Sequence, residues 1–326
     1  MSSASSLPYH LRQNKAIDRN LFVDLLSRIG RYRNISEYRY IGFGGPFLED
    51  HKVLHASLRL RHMTSLEKNP EVVKRQEFNR PLSSLLLKDK TSGEFLNEFD
   101  FDEPSIVWFD YTVPKELGIQ LAEIELLVRK LNAGDVFKIT LNAAPESLGK
   151  PSDETDLRVF RLEQLLRRAT DYCPMGVGVD DVTNVNYPGL LLRCVENAAK
   201  KGLETKPRCV VLPLSAFSYA DGQQMLTVTS IIIEKVDKGK FYSETRLEHW
   251  PFSCKSWTDL RSISVPQLSS KERMHVEALL PDASDPKTIF SKLGYYVGKD
   301  EKEAEKLMAN FIDYYRMYPW YSKVVL

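Results

Sequence analysis

The chain has 326 residues and a formal net charge of +1, from 45 Lys+Arg against 44 Asp+Glu. Hydrophobic residues are 43% and charged residues 27%, enough core material that size alone demands no disulfide or metal staple. The near-neutral balance argues against a strongly cationic nucleic-acid binder, although a local basic groove stays open.

The elements can be followed in chain order. Ile17, Leu21, Phe22, Leu25 and Ile29 recur at helical spacing and Gly30 stops the run, so the pattern predicts a helix over 17–29. Tyr38–Phe43 then reads as a strand, broken by Gly44, Gly45 and Pro46. Helical spacing returns over 48–60, a short strand follows at His62–Leu66, and Asn69-Pro70 is a cap plus first-turn proline that starts another helix. The run Leu85-Leu86-Leu87-Lys88 is a candidate third strand. Ser105–Phe109 is continuously apolar, as in a strand covered on both faces. Leu117, Leu121, Ile124, Val128 and Leu131 make a helix stripe, and Asp135–Leu141 is a further strand. This alternation predicts an α/β sheet with right-handed crossovers. Helices are expected at about 155–172 and 187–201. Cys209–Leu214 and Met225–Glu234 read as an antiparallel hairpin with an Asp221-Gly222 turn, and helices at 269–280 and 300–316 complete the chain.

The four cysteines, Cys173, Cys194, Cys209 and Cys254, have no C-x-x-C spacing and read as reduced thiols. No apolar run reaches the roughly 18–20 residues of a membrane span. The start has no basic region followed by an apolar stretch, which predicts a cytoplasmic protein.

Three features suggest chemistry. Gly42-Phe43-Gly44-Gly45 ends the first strand, where glycines permit a sharp turn and close approach of a ligand. Glu67 follows the next strand, where a carboxylate can accept hydrogen bonds from a ribose diol; a solvated acid or a pair with Lys68 is the plainer alternative. Asp110-Tyr111-Thr112 follows the apolar strand, where Asp110 could also serve merely as a cap.

On these residues the chain resembles the class I S-adenosylmethionine-dependent methyltransferase superfamily over roughly residues 35–235, including bacterial proteins described as O-methyltransferases. The resemblance implies a Rossmann-like, seven-stranded, mostly parallel sheet with a C-terminal antiparallel hairpin, plus a small helical appendage. The implied organisation is an N-terminal arm and helix (1–35), a methyltransferase-like domain (36–236) with a helical insertion near 150–204, and a mainly helical appendage (237–326). It implies S-adenosylmethionine as cofactor, held by Gly42, Phe43, Gly44, Gly45, Glu67, Asp89 and Asp110, with Asp110 and Tyr111 near the methyl group and acceptor as catalytic candidates. Asp89 is the candidate adenine-contacting acid. Asp110 is the candidate base for an oxygen acceptor.

Two departures matter. Tyr40 stands where the superfamily usually has an acid, which keeps open a non-catalytic binding module of a larger complex. Asp110-Tyr111-Thr112 also lacks the Asp-Pro-Pro-aromatic pattern, which weakens but does not remove the case for methylating nucleic-acid bases. A nicotinamide oxidoreductase is a further alternative, although Gly-x-Gly-Gly lacks the third spaced glycine.

Other residues have plainer readings beside functional ones. The arm Tyr9–Lys15 either folds over the cleft or is solvated. Arg31-Tyr32-Arg33 and Arg59-Leu60-Arg61 read as solvated helix ends, with phosphate contact the alternative. Arg75-Gln76 and Asn79-Arg80 read as helix surface, with the cofactor edge the alternative. His51 and His55 read as surface and packing. No metal site is assigned, magnesium between Asp110 and Asn142 being a minor alternative. Tyr314, Tyr315, Tyr318, Trp320 and Tyr321 read as an aromatic end that docks a terminal helix, with a protein partner the alternative. The methyl acceptor is not identifiable from these residues.

Overall fold

A computed structural model describes residues 12–319; Tyr9–Leu11 of the arm, and Trp320 and Tyr321 of the aromatic end, lie outside the described residues. The chain runs α1 (Gln13–Ile29), β1 (Arg39–Gly42), α2 (Glu49–Leu58), β2 (His62–Leu66), α3 (Pro70–Asn79), β3 (Leu85–Lys88), α4 (Ser92–Glu98), β4 (Ser105–Asp110), α5 (Leu117–Lys130), β5 (Val136–Asn142), α6 (Leu157–Ala169) and α7 (Tyr187–Gly202). There follow β6 (Cys209–Asp221), β7 (Gln223–Glu234), α8 (Lys238–Thr245), β8 (Arg261–Ile263), α9 (Ser270–Leu279), α10 (Pro286–Leu293) and α11 (Glu301–Tyr314). Local chemistry accounts for the boundaries. The Asn69 side chain accepts from the Glu71 N–H with Pro70 in the first turn. Thr91 and Glu94 form a reciprocal capping box at α4. Gly222, at φ +107°, makes the one-residue link between β6 and β7.

The strand order is β3-β2-β1-β4-β5-β7-β6-β8. β3, β2, β1, β4 and β5 are parallel neighbours, and β7 runs antiparallel to β5. This is the Rossmann-like α/β architecture with a closing hairpin, with eight strands rather than the expected seven. The extra strand, β8, has only three residues, too few for a periodic signal. Order reverses between β1 and β4, since β2 and β3 lie on one side and β5 on the other. In open α/β sheets such a switch point leaves a crevice beyond the carboxyl ends of the strands.

The two sheet faces differ. Ile41, Val107, Phe109, Phe137, Ile139 and Leu141 face a continuous apolar cluster with Leu121, Ile124 and Val128 of α5 and Leu191 and Val195 of α7. By strand alternation the opposite face carries Tyr40, Trp108, Lys138 and Thr140. There Trp108 meets Phe22 edge-on at 5.3 Å, and the fully buried Lys138 ammonium lies 4.9 Å from the Trp108 ring and 5.1 Å from that of Phe22.

The chain divides into two compact units. One holds residues 22–218 and 223–261, and therefore almost all of the sheet. The described part of the other is 12–21, 219–222 and 262–319. Within this second unit the Asp221 carboxylate accepts from the backbone N–H groups of Asn14 and Lys15 at 3.2 and 2.8 Å. In the same unit Tyr314 and Tyr318 are buried, the Arg273 guanidinium lies 4.1 Å from the Tyr318 ring, and it donates to the carbonyls of Tyr318 and Pro319.

Candidate functional site

Strand register gathers the candidate residues. Gly42 pairs with Ser65 on one side and Trp108 on the other, and Ser65 pairs with Leu87. Leu87, Ser65, Gly42 and Trp108 thus form one row across β3, β2, β1 and β4. Two residues beyond that row, each chain reaches Asp89, Glu67, Gly44 and Asp110. Four residues separated by up to 66 positions in sequence therefore share one sheet edge, with Gly44 and Asp110 flanking the switch point.

The glycine bend is packed against its own protein. A Cβ on Gly42 would lie 2.5 Å from the Tyr40 hydroxyl oxygen, and one on Gly44 would collide with Leu48 and stand 2.6 Å from Ser65 Oγ. Gly42 and Gly44 are thus required by internal close approach, whatever ligand the loop meets. Tyr40, in the place of the usual acid, is 1% exposed and its ring meets His51 edge-on at 5.0 Å. His51 is not a surface residue, because it lies on the buried face of α2 and is fully enclosed. Its Nε2 is 3.3 Å from the Thr64 carbonyl oxygen, and burial pushes its pKa down to about 4.

The carboxylates have different settings. Glu67 Oε1 accepts from the Asn69 N–H at 2.9 Å, while Oε2 makes no hydrogen bond among the described residues and Lys68 forms no ion pair with it. Asp89 follows β3 and is exposed. Asp110 is half-buried and lies beside Thr140 of β5 in register.

Asp110 and Tyr111, adjacent in the chain, diverge at the strand end. The buried Tyr111 ring joins the apolar α5 face, meeting Phe43 and Phe109 edge-on at 5.8 Å each, while Phe43 stacks on Phe109 at 5.2 Å. Its hydroxyl donates to Glu123 Oε2 at 2.6 Å, as does Ser92 Oγ at 2.6 Å. Burial, and then the Glu123 charge, raise the phenol well above its usual pKa, so it stays protonated at neutral pH. The Asn142 amide is occupied at both ends, its Nδ2 donating to Gln223 at 2.8 Å and its Oδ1 accepting from the Ala144 N–H at 3.1 Å. Among the described residues no group of three or more His, Cys, Asp or Glu side chains is placed to hold a metal ion.

Helix α3 contributes residues that periodicity leaves on its surface. Gln76 is fully buried and donates from Nε2 to the Gly45 carbonyl at 2.9 Å. Asn79 donates to the Pro46 carbonyl at 2.8 Å, and the Arg75 guanidinium lies 4.7 Å from the Phe47 ring. A polar side chain on an otherwise polar helix gives no sign in sequence that it is buried; only its spacing from the Asn69 cap could have aimed it at the glycine bend.

The family described as "Putative O-methyltransferase" matches residues 7–326. The chain belongs to this family. No curated protein matches it in sequence. Among solved structures it is similar to Trm1 from Pyrococcus horikoshii in complex with S-adenosyl-L-methionine, at 11% identity and TM-score 0.46, covering 69% of this chain and 56% of that one. The chain thus spans little more than half the length of that protein. It is also similar to an O-methyltransferase from Bacillus cereus in complex with SAH, at 12% identity and TM-score 0.38, covering 70% and 86%. An O-methyltransferase-described protein from Klebsiella pneumoniae matches at 9% identity and TM-score 0.36, covering 71% and 93%.

Proposed function

We propose that this family member uses S-adenosylmethionine to methylate an oxygen nucleophile, of an acceptor not yet identified. The observation that carries the reading is the shared edge: Asp89, Glu67, Gly44 and Asp110 stand two residues beyond one row, at the switch point of the sheet. The residues fit such a cofactor. Glu67 keeps one carboxylate oxygen available for ribose hydroxyls while the Asn69 N–H braces the other. Asp89 is open to solvent at the outer end of the row, where it can take the amino edge of an adenine. When bound, the cofactor would supply an electrophilic methyl group. The protein then has to hold donor and acceptor in line and keep water out, and an oxygen acceptor has to lose its proton. We assign the proton to Asp110, the carboxylate of that edge that flanks the switch point, and give Tyr111 the task of fixing Phe43 and Phe109 through Glu123. Four free thiols suit a cytoplasmic setting, and no helix among the described residues is long and apolar enough to cross a membrane.

Calorimetry with S-adenosylhomocysteine and with NADH tests the reading. The homocysteine compound should bind and NADH should not; the reverse result overturns the assignment in favour of an oxidoreductase. Glu67→Ala should weaken binding by about 1–3 kcal/mol, the loss of a hydrogen bond to a charged group, and unchanged affinity removes Glu67 from the site. Tyr40 in place of an acid favours a second reading, a module that binds without turnover. Bound cofactor with no methyl transfer to any fraction of a cell extract would select it.

A further inference from the structure

We propose that Gln76 is a positioning residue that holds the glycine bend in its cofactor-receiving shape before any cofactor arrives. The inference rests on the methyltransferase reading and extends it to a residue that touches no cofactor. Gln76 engages the bend through both ends of its amide. Its Nε2 donates to the Gly45 carbonyl at 2.9 Å, and its Oε1 accepts from Ser65 Oγ at 3.4 Å. Ser65 Oγ in turn accepts from the Gly44 N–H at 3.2 Å. The direction of this relay is fixed by chemistry, because the Gly45 carbonyl can only accept and so must face the amide NH2 group.

The neighbours of Gln76 extend the clamp. Asn79 takes the Pro46 carbonyl and Arg75 covers Phe47, so residues 44–47 are each held by β2 or α3. The Leu48 N–H closes the turn on the Gly44 carbonyl at 3.0 Å. Gly45 takes φ +51° at no steric cost, but Leu48 sits at φ 55°, a conformation that a loosely held non-glycine residue would seldom occupy. A bend ordered in advance spares the binding step the entropy of ordering it. The Gly44 N–H is already committed to Ser65, so it is the shape of the bend, rather than that donor, that the clamp presents to a ligand.

Two measurements on the full-length protein decide the matter. Hydrogen–deuterium exchange of the ligand-free protein should be faster over residues 43–48 in Gln76→Met, which keeps side-chain volume but cannot donate. Its S-adenosylhomocysteine affinity should fall about tenfold, the scale of one buried hydrogen bond. Gln76→Glu should bind equally weakly near pH 8, because an ionised carboxylate cannot donate to the Gly45 carbonyl. Ser65→Ala should lose about threefold, and the double variant Ser65→Ala/Gln76→Met should be no weaker than Gln76→Met alone, as expected of one relay. A lower melting temperature with unchanged affinity, or unchanged exchange over 43–48, overturns the proposal. If Gln76→Met does not fold, Ser65→Ala decides alone, and full affinity there is the overturning result. If the wild type binds no S-adenosylhomocysteine, the methyltransferase reading fails separately, and the exchange comparison still judges the clamp.

Discussion

Acidification should expose the buried histidine beneath the glycine bend. His51 is fully enclosed and its pKa is lowered from 6.5 to about 4, chiefly by burial. The folded protein therefore keeps the ring neutral while the unfolded chain protonates it at its ordinary value. Stability from this group is complete above pH 6.5 and is lost as pH falls toward 4. The full span is about 3 kcal/mol at 1.36 kcal/mol per pH unit, and the part lost between pH 7 and pH 5 is about 2 kcal/mol. Asp135 acts with the opposite sign. Burial raises its carboxyl to about 6 despite the Asn132 and Ser105 N–H groups. Its contribution is present below the ordinary carboxylate range and lost as pH rises through 6, so acidification from pH 7 to 5 returns about 1 kcal/mol. The two effects partly cancel in the wild type, and a single pH series would report only their difference. His51→Gln removes one and leaves the other. Urea unfolding of wild type and variant at pH 7 and pH 5 should show their stability difference shifting by about 2 kcal/mol in favour of the variant at the lower pH. A shift under about 0.5 kcal/mol would refute the account of His51 as a buried neutral ring.

Two more outcomes follow from contacts at the sheet edge. Gly44→Ala should lower stability by about 1–3 kcal/mol, read as a depressed melting temperature, because its Cβ meets Leu48 and Ser65 Oγ with no open space to enter; a melting temperature equal to wild type would show that the bend relaxes freely. Tyr111→Phe deletes a hydroxyl whose bond goes to Glu123, an acceptor that Ser92 also serves. It should cost about 0.5–1.5 kcal/mol of stability and leave methyl transfer, once an acceptor is found, within a few-fold of wild type. A thousandfold loss of turnover at unchanged cofactor affinity would instead make the phenol a catalytic group.

Much of the fold was legible one element at a time. The apolar run at 105–109, the Asn69-Pro70 cap and the stripe from Leu117 to Leu131 fall in β4, at the start of α3 and along α5. The Thr91–Glu94 capping box also marks a helix start in the sequence, but α4 has only seven residues, too few for its apolar positions to repeat. The helix at 286–293 lies outside the expected elements, although Asp285-Pro286 is the same cap and first-turn proline pattern as Asn69-Pro70. In the candidate site, Gly44, Glu67, Asp89 and Asp110 could be picked out because each ends a strand or follows it within two residues. Gln76 and His51 could not, because a polar residue on a short helix looks the same whether it meets solvent or the underside of a loop.

Local sequence settled which segments become strands or helices and where they stop, because hydrophobic period, capping side chains and turn residues act over a few neighbouring positions. Tertiary structure alone decided the parallel register that aligns Gly42 with Ser65 and Trp108, the turning of Tyr111 away from Asp110, and the burial of Gln76 under the glycine bend. These depend on which strands become neighbours and on which helix packs over which loop. Such contacts join residues tens of positions apart, and no local pattern in the chain records them.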